Sequence, residues 1–210
     1  MARDNSQIAI PEYPIGSRYE TVARGVLGIE GGLAALGADH GGITNLGISL
    51  RFLITEGKID ANHDGFADYD LDMDGDIDGA DIRLLTPSHA LNLFWRCFWR
   101  RLDLDRLPVP IDGAVFDQAV NGGTFAAVKM LQLALNQFHL GMDLTVDGQL
   151  GRITAARVGQ IARQQGGMAQ LVKLYRDQAE ARYRAIVRAD PSQSVFLDGW
   201  ISRARRLGNV

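Results

Sequence analysis

The stretch "SRYETVARGVLGIEGGLAALGADHGGITNLGIS", residues 17–49, reads as a helix running into a turn-rich hairpin. Ser17 and Glu20 have the spacing of a capping box, in which hydroxyl and carboxylate satisfy orphan N–H groups of the first helical turn. Tyr19, Val22, Ala23 and Val26 then fall three and four residues apart, which makes one apolar stripe. A further step of four reaches Glu30 on the same face, just before Gly31 and Gly32, which predict the helix stop. A carboxyl group there loses hydration and favours its protonated form, as a general acid requires. Beyond it, Gly37, Gly41, Gly42 and Gly47 predict tight turns, and "ITNLGIS" has the β-branched content of a short strand. The expected hairpin follows the helix, with Asp39 nine residues after Glu30 and Thr44 five further on.

The rest of the chain bounds the function classes. At 210 residues and 46% hydrophobic, it is long and apolar enough for one large or two small packed domains. The beginning has no basic segment followed by an apolar run, and no stretch approaches the roughly 20 apolar residues of a membrane span. The single cysteine, Cys97, has no intramolecular partner and is expected as a small buried hydrophobe. Net charge is −3, yet residues 60–81 hold nine aspartates and no Lys or Arg, so the remainder carries +6. Arg182, Arg184, Arg188, Arg203, Arg205 and Arg206 concentrate that surplus near the end, which suits an anionic partner. No Gly-rich phosphate loop or aromatic-basic interleaving points to nucleotide or nucleic acid.

"DANHDGFADYDLDMDGDIDGAD", residues 60–81, has the oxygen pattern of a calcium loop. An EF-hand loop uses positions 1, 3, 5, 7 by its carbonyl, 9 and 12, with Gly at 6. Counted from Asp70, these are Asp70, Asp72, Asp74, Asp76, Asp78 and Asp81, with Gly75 sixth. Counted from Asp60, they are Asp60, Asn62, Asp64, Phe66 by its carbonyl and Asp68, with Gly65 sixth but Leu71 twelfth. One Ca2+ site is expected at 70–81, and a second at 60–68 if it borrows Asp70 or Asp72. An all-oxygen set suits calcium rather than zinc, because His63, His40, His89 and His139 form no ligand cluster. The loop stands between the active-site hairpin and an aromatic helix expected at 88–101, so ordering it would shape the wall of a cleft.

"LPVPIDG", residues 107–113, is the clearest joint. After it, helical spacing predicts segments at 113–121, 123–139, 151–164, 168–188 and 194–207. Met130, Met142, Tyr183 and Trp200 are expected in the core, with sugar stacking as the alternative for the last two.

Five motifs in order resemble a known family. "EGG" with Asp39, Gly41-Gly42, Thr44-Asn45 and Gly47-Ile48 is similar to the signature of glycoside hydrolase family 108, mostly phage and prophage endolysins. "SHALNLFWRCFWRRLDLDRLP" and "FDQAVNGG" resemble its later motifs, "VDGQLGRIT" resembles a turn of the peptidoglycan-binding type 3 domain usually fused to it, and "VFLDGWISRARRL" is similar to the family's closing helix. The Glu–Asp–Thr spacing also resembles that of T-even phage lysozymes. The resemblance implies a mainly α, lysozyme-like α+β fold, with a helical bundle, a small β-hairpin at the active site and an inserted calcium loop. Residues 1–107 would be catalytic and 112–210 peptidoglycan-binding. The implied enzyme is an N-acetylmuramidase that cuts the β-1,4 bond between N-acetylmuramic acid and N-acetylglucosamine. Glu30 would be the general acid, Asp39 and Thr44 would position water, and Asn45 and Asn121 would hold acetamido groups; for Asn121 a helix cap is the alternative. The enzyme would act as a monomer, made in the host bacterial cytoplasm and released to the wall through a separate holin. A lytic transglycosylase and a non-catalytic, calcium-ordered wall binder remain open at this stage.

Overall fold

The computed structural model describes residues 13–28, 43–61, 63 and 65–209. The chain divides into two compact units, Met1–Cys97 and Phe98–Val210. Among the described residues the fold is mainly α, with nine α-helices and one two-stranded sheet.

In the first unit, α1 (Arg18–Leu27) begins where Ser17 directs it, the serine Oγ accepting from the Glu20 N–H at 3.3 Å. The reciprocal arm reaches one residue further back. The Glu20 carboxylate accepts from the Gly16 N–H at 2.7 Å and pairs with Arg24 at 2.8 Å. The stripe buries Tyr19, Val22 and Ala23, and the Tyr19 hydroxyl donates to the Leu91 carbonyl. The helix stops earlier than its periodicity predicts. Gly28 takes the left-handed conformation (φ 63°) and its N–H closes on the Arg24 carbonyl, so α1 ends at Leu27 and does not carry Glu30 in its last turn. Residues 29–42, including Glu30 and Asp39, lie outside the described residues.

The hairpin lies within "ITNLGIS": β1 (Thr44–Asn45) and β2 (Ile48–Ser49) are antiparallel, Thr44 opposite Ser49 and Asn45 opposite Ile48. Leu46 and Gly47 have φ of 50° and 77°, the two-residue turn that matches strand twist. Ser49 then caps α2 (Leu50–Glu56) by accepting from the Phe52 N–H at 3.3 Å. Gly57 ends α2 where no side chain fits: a Cβ would lie 2.6 Å from the Leu53 carbonyl oxygen and 2.9 Å from Tyr69 Cβ. This close approach fixes the start of the acidic segment. After it come α3 (Gly79–Leu84) and α4 (Pro87–Phe94), which starts with a Thr86–His89 capping box and runs on through a π-helical segment, Trp95–Arg100. Ile48, Leu53, Tyr69, Ile82, Leu91 and Phe94 form the buried centre of this unit.

The second unit is helical: α5 (Ile111–Gly122), α6 (Thr124–Asn136), α7 (Arg152–Ala162), α8 (Gly167–Ala189) and α9 (Leu197–Arg206). The long α8 packs against the other four. Its Tyr175 is fully buried and donates to the Ala127 carbonyl at 3.2 Å. Met130 is buried as expected, whereas Met142 is 89% exposed. The reason is local, since the segment between α6 and α7 is held by its backbone: Asn136 bonds the Leu144 N–H and carbonyl at 2.8 and 2.9 Å, and Arg157 donates to the Met142 carbonyl at 3.1 Å.

Candidate functional site

Two polar features of the first unit meet at the hairpin. Thr44 Oγ1 is buried and has no hydrogen-bond partner among the described residues. A hydroxyl left this way costs about 1–3 kcal/mol unless it finds a water or a ligand. Its neighbour Asn45 is tied down: Nδ2 donates to the Ile82 carbonyl of α3 at 2.8 Å. A sugar contact by Asn45 would therefore use Oδ1. The Ile43 carbonyl accepts from the Leu50 N–H at 3.0 Å, which closes the base of the hairpin.

Helix α3 is the exit of the acidic segment, so the hairpin rests on the candidate metal loops. Counted from Asp60 and from Asp70, the two loops wind alike. Their fourth residues, His63 and Met73, have φ of 59° and 63°, and their sixth, Gly65 and Gly75, have φ of 90° and 103°. The Gly65 N–H donates to Asp60 Oδ2 and the Gly75 N–H to Asp70 Oδ2, both at 3.0 Å. Their twelfth positions differ. Asp81 is buried and accepts from the N–H groups of Leu71, Asp72 and Asp78, closing the second loop on itself and capping α3. Leu71, equally buried, offers no side-chain oxygen.

Six of the expected ligands gather in two groups. Carboxylate oxygens of Asp70, Asp72 and Asp74 lie within 4.8 Å of one another, and so do those of Asp76, Asp78 and Asp81. Either group could hold a metal ion. Lost hydration, then repulsion from Asp74 and Asp81, raises the Asp72 pKa; repulsion from Asp74 leads the same shift at Asp76. A hard divalent cation would relieve this crowding. In the upstream loop, Asp68 is buried, which raises its pKa, and it accepts from the Ala61 N–H at 3.2 Å. Phe66 is exposed, while Asn62 and Asp64 lie outside the described residues. The left-handed fourth positions escape a sequence reading, because neither histidine nor methionine marks that conformation as glycine would.

Asn121 and the terminal arginines fall in the second unit. Asn121 lies inside α5 and is not its cap; its Nδ2 donates to the Asp117 carbonyl at 3.0 Å and to Asp117 Oδ1 at 3.2 Å. The terminal arginine surplus is partly neutralised within the fold: Arg203 pairs with Asp117 at 2.8 Å, and Arg205 and Arg184 with Glu180 at 3.1 and 3.6 Å. In the first unit, Cys97 is buried as expected, its Sγ 3.4 Å from Glu56 Oε2.

Residues 23–123 match the family model Glycosyl hydrolase 108, and residues 126–205 match the model described as "Predicted Peptidoglycan domain". A solved structure of SagA from Brucella abortus is similar, with 26% sequence identity, 91% of each chain covered and a TM-score of 0.63. No curated protein matches the chain. Among the described residues no helix is long and apolar enough to cross a membrane.

Proposed function

We propose that this glycoside hydrolase, a glycosyl hydrolase 108 domain followed by a peptidoglycan domain, is an N-acetylmuramidase that hydrolyses the β-1,4 bond between N-acetylmuramic acid and N-acetylglucosamine. The observation that carries the reading is the buried Thr44 hydroxyl, without a partner among the described residues, on a hairpin that follows Glu30 and Asp39 in sequence. A hydroxyl without a partner is suited to hold a water, and glycoside hydrolysis by inversion needs a held water opposite the leaving group. In the proposed reaction Glu30 gives its proton to the glycosidic oxygen as the bond to the anomeric carbon breaks. Water, oriented by Thr44 and the Asp39 carboxylate, forms the new bond and passes a proton to Asp39. Asn45, held by Ile82, keeps the hairpin in register and presents Oδ1 to an acetamido group.

Calcium is the cation we propose for Asp70, Asp72, Asp74, the Asp76 carbonyl, Asp78 and Asp81, with a second, weaker site at Asp60, Asn62, Asp64, Phe66 and Asp68. Its role is support of the hairpin. The Asp81 carboxylate stands in the first turn of α3, whose Ile82 carbonyl holds Asn45 beside Thr44. An enzyme made in a calcium-poor cytoplasm and released to the wall by a holin would gain order where it acts. The test is fragment release from purified peptidoglycan by the wild-type chain in calcium and in chelator. Muropeptides that depend on Glu30 and increase with calcium are expected; equal release and equal melting temperatures in the two conditions would remove calcium from the reading.

A further inference from the structure

We infer that Phe196, backed by Trp200 in the second unit, forms a stacking platform for a pyranose ring of the glycan; this rests on the peptidoglycan reading above. Three rings stand in a row. Tyr183 and Trp200 stack with centroids 5.3 Å apart and planes at 26°, and Trp200 and Phe196 follow at 5.7 Å and 28°. The inner ring is anchored, because Tyr183 is buried and its hydroxyl donates to buried Gln118 at 3.2 Å. The outer ring, Phe196, is 48% exposed beside Val195 at 79%.

Arg203 lies one turn from Trp200 on α9 and pairs with Asp117, whose Oδ1 also accepts from exposed Asn121. An exposed aromatic face one helical turn from a fixed charged pair suits a pyranose, whose C–H face covers the ring while hydroxyl and acetamido groups reach outward. The Arg203–Asp117 pair is neutral as a whole, which favours an uncharged sugar face over a lipid headgroup beside it.

The full-length protein is tested by sedimentation with purified, peptide-stripped peptidoglycan glycan. Phe196→Ala is expected to weaken binding about tenfold, the loss of one ring contact, and Phe196→Tyr to restore it. Trp200→Ala should lose at least as much, with circular dichroism and thermal melting reporting whether its fold is kept. A folded Phe196→Ala protein with wild-type affinity would overturn the platform while leaving the hydrolase reading intact. Wild-type protein that neither binds nor cleaves glycan would bring down both, and binding to anionic lipid vesicles that Phe196→Ala abolishes would reassign the rings to a membrane surface.

Discussion

The two units are ordered by different means. In the first, the segment between α2 and α3 is held by carboxylates that accept backbone N–H groups, Asp60 and Asp70 each closing a glycine turn and Asp81 gathering three donors. In the second, order comes from packing of α8 against four helices, with Ala127, Leu131, Tyr175 and Ala179 fully buried. Order built on carboxylates responds to cations and protons, whereas order built on apolar burial does not. The proposed chemistry thus belongs to the unit whose order an ion can adjust, and glycan recognition to the unit that an ion leaves alone.

The largest expected effect separates activity from order. Glu30→Gln should lower the rate about 10²–10⁴-fold while leaving both units folded, as removal of general acid catalysis does. Asp39→Asn should cost less, since its proposed role is to orient water. Near-wild-type fragment release by Glu30→Gln would end the assignment.

Next comes a test of the contrast between the units. Asp81→Ala strands three N–H donors, two at the loop's start and one at its end, and should destabilise the first unit by about 3 kcal/mol. Hydrogen exchange should show faster opening of residues 43–94 and unchanged protection across α6 and α8. Calcium at a hundred times its dissociation constant should stabilise the first unit by about 2.7 kcal/mol. A uniform change across both units would break the comparison.

Thr44→Val sharpens it further. Removal of a buried, unpartnered hydroxyl should leave the melting temperature unchanged or raise it, with a gain of about 1 kcal/mol or less, while the rate falls about tenfold. A mutant that loses stability without losing rate would make Thr44 structural.

The smallest effect concerns pH. Burial lowers the pKa of His89, whose Nδ1 accepts from the Thr86 N–H at 3.3 Å in the cap of α4. The unfolded chain takes up a proton near pH 6.5 that the folded chain refuses, so stability falls as pH drops below about 6.5. Thermal melts at about pH 7.5 and about pH 5.5 should differ less for His89→Asn than for wild type.

Much of this was legible in the residues. The five helical segments expected after residue 113 appear as α5 to α9, because apolar periodicity there meets no competing constraint. The end of α1 was misjudged because the stripe continues in register past Gly28, and only backbone conformation shows which glycine takes the left-handed cap. Periodicity also placed Trp200 in the core; it is half-buried, stacked on buried Tyr183 and on exposed Phe196. Spacing picked out the six aspartates that gather in two groups, but the tie from Asn45 to Ile82 spans 37 residues and leaves no local pattern. Glu30 and Asp39 rest on spacing and resemblance.

The most direct test is mass spectrometry of borohydride-reduced fragments released from purified peptidoglycan by the protein in millimolar calcium. Reduced N-acetylmuramic acid ends, absent with Glu30→Gln, are the expected result. Products ending in 1,6-anhydro-N-acetylmuramic acid would contradict hydrolysis and leave Asp39 and Thr44 without an attacking water to position.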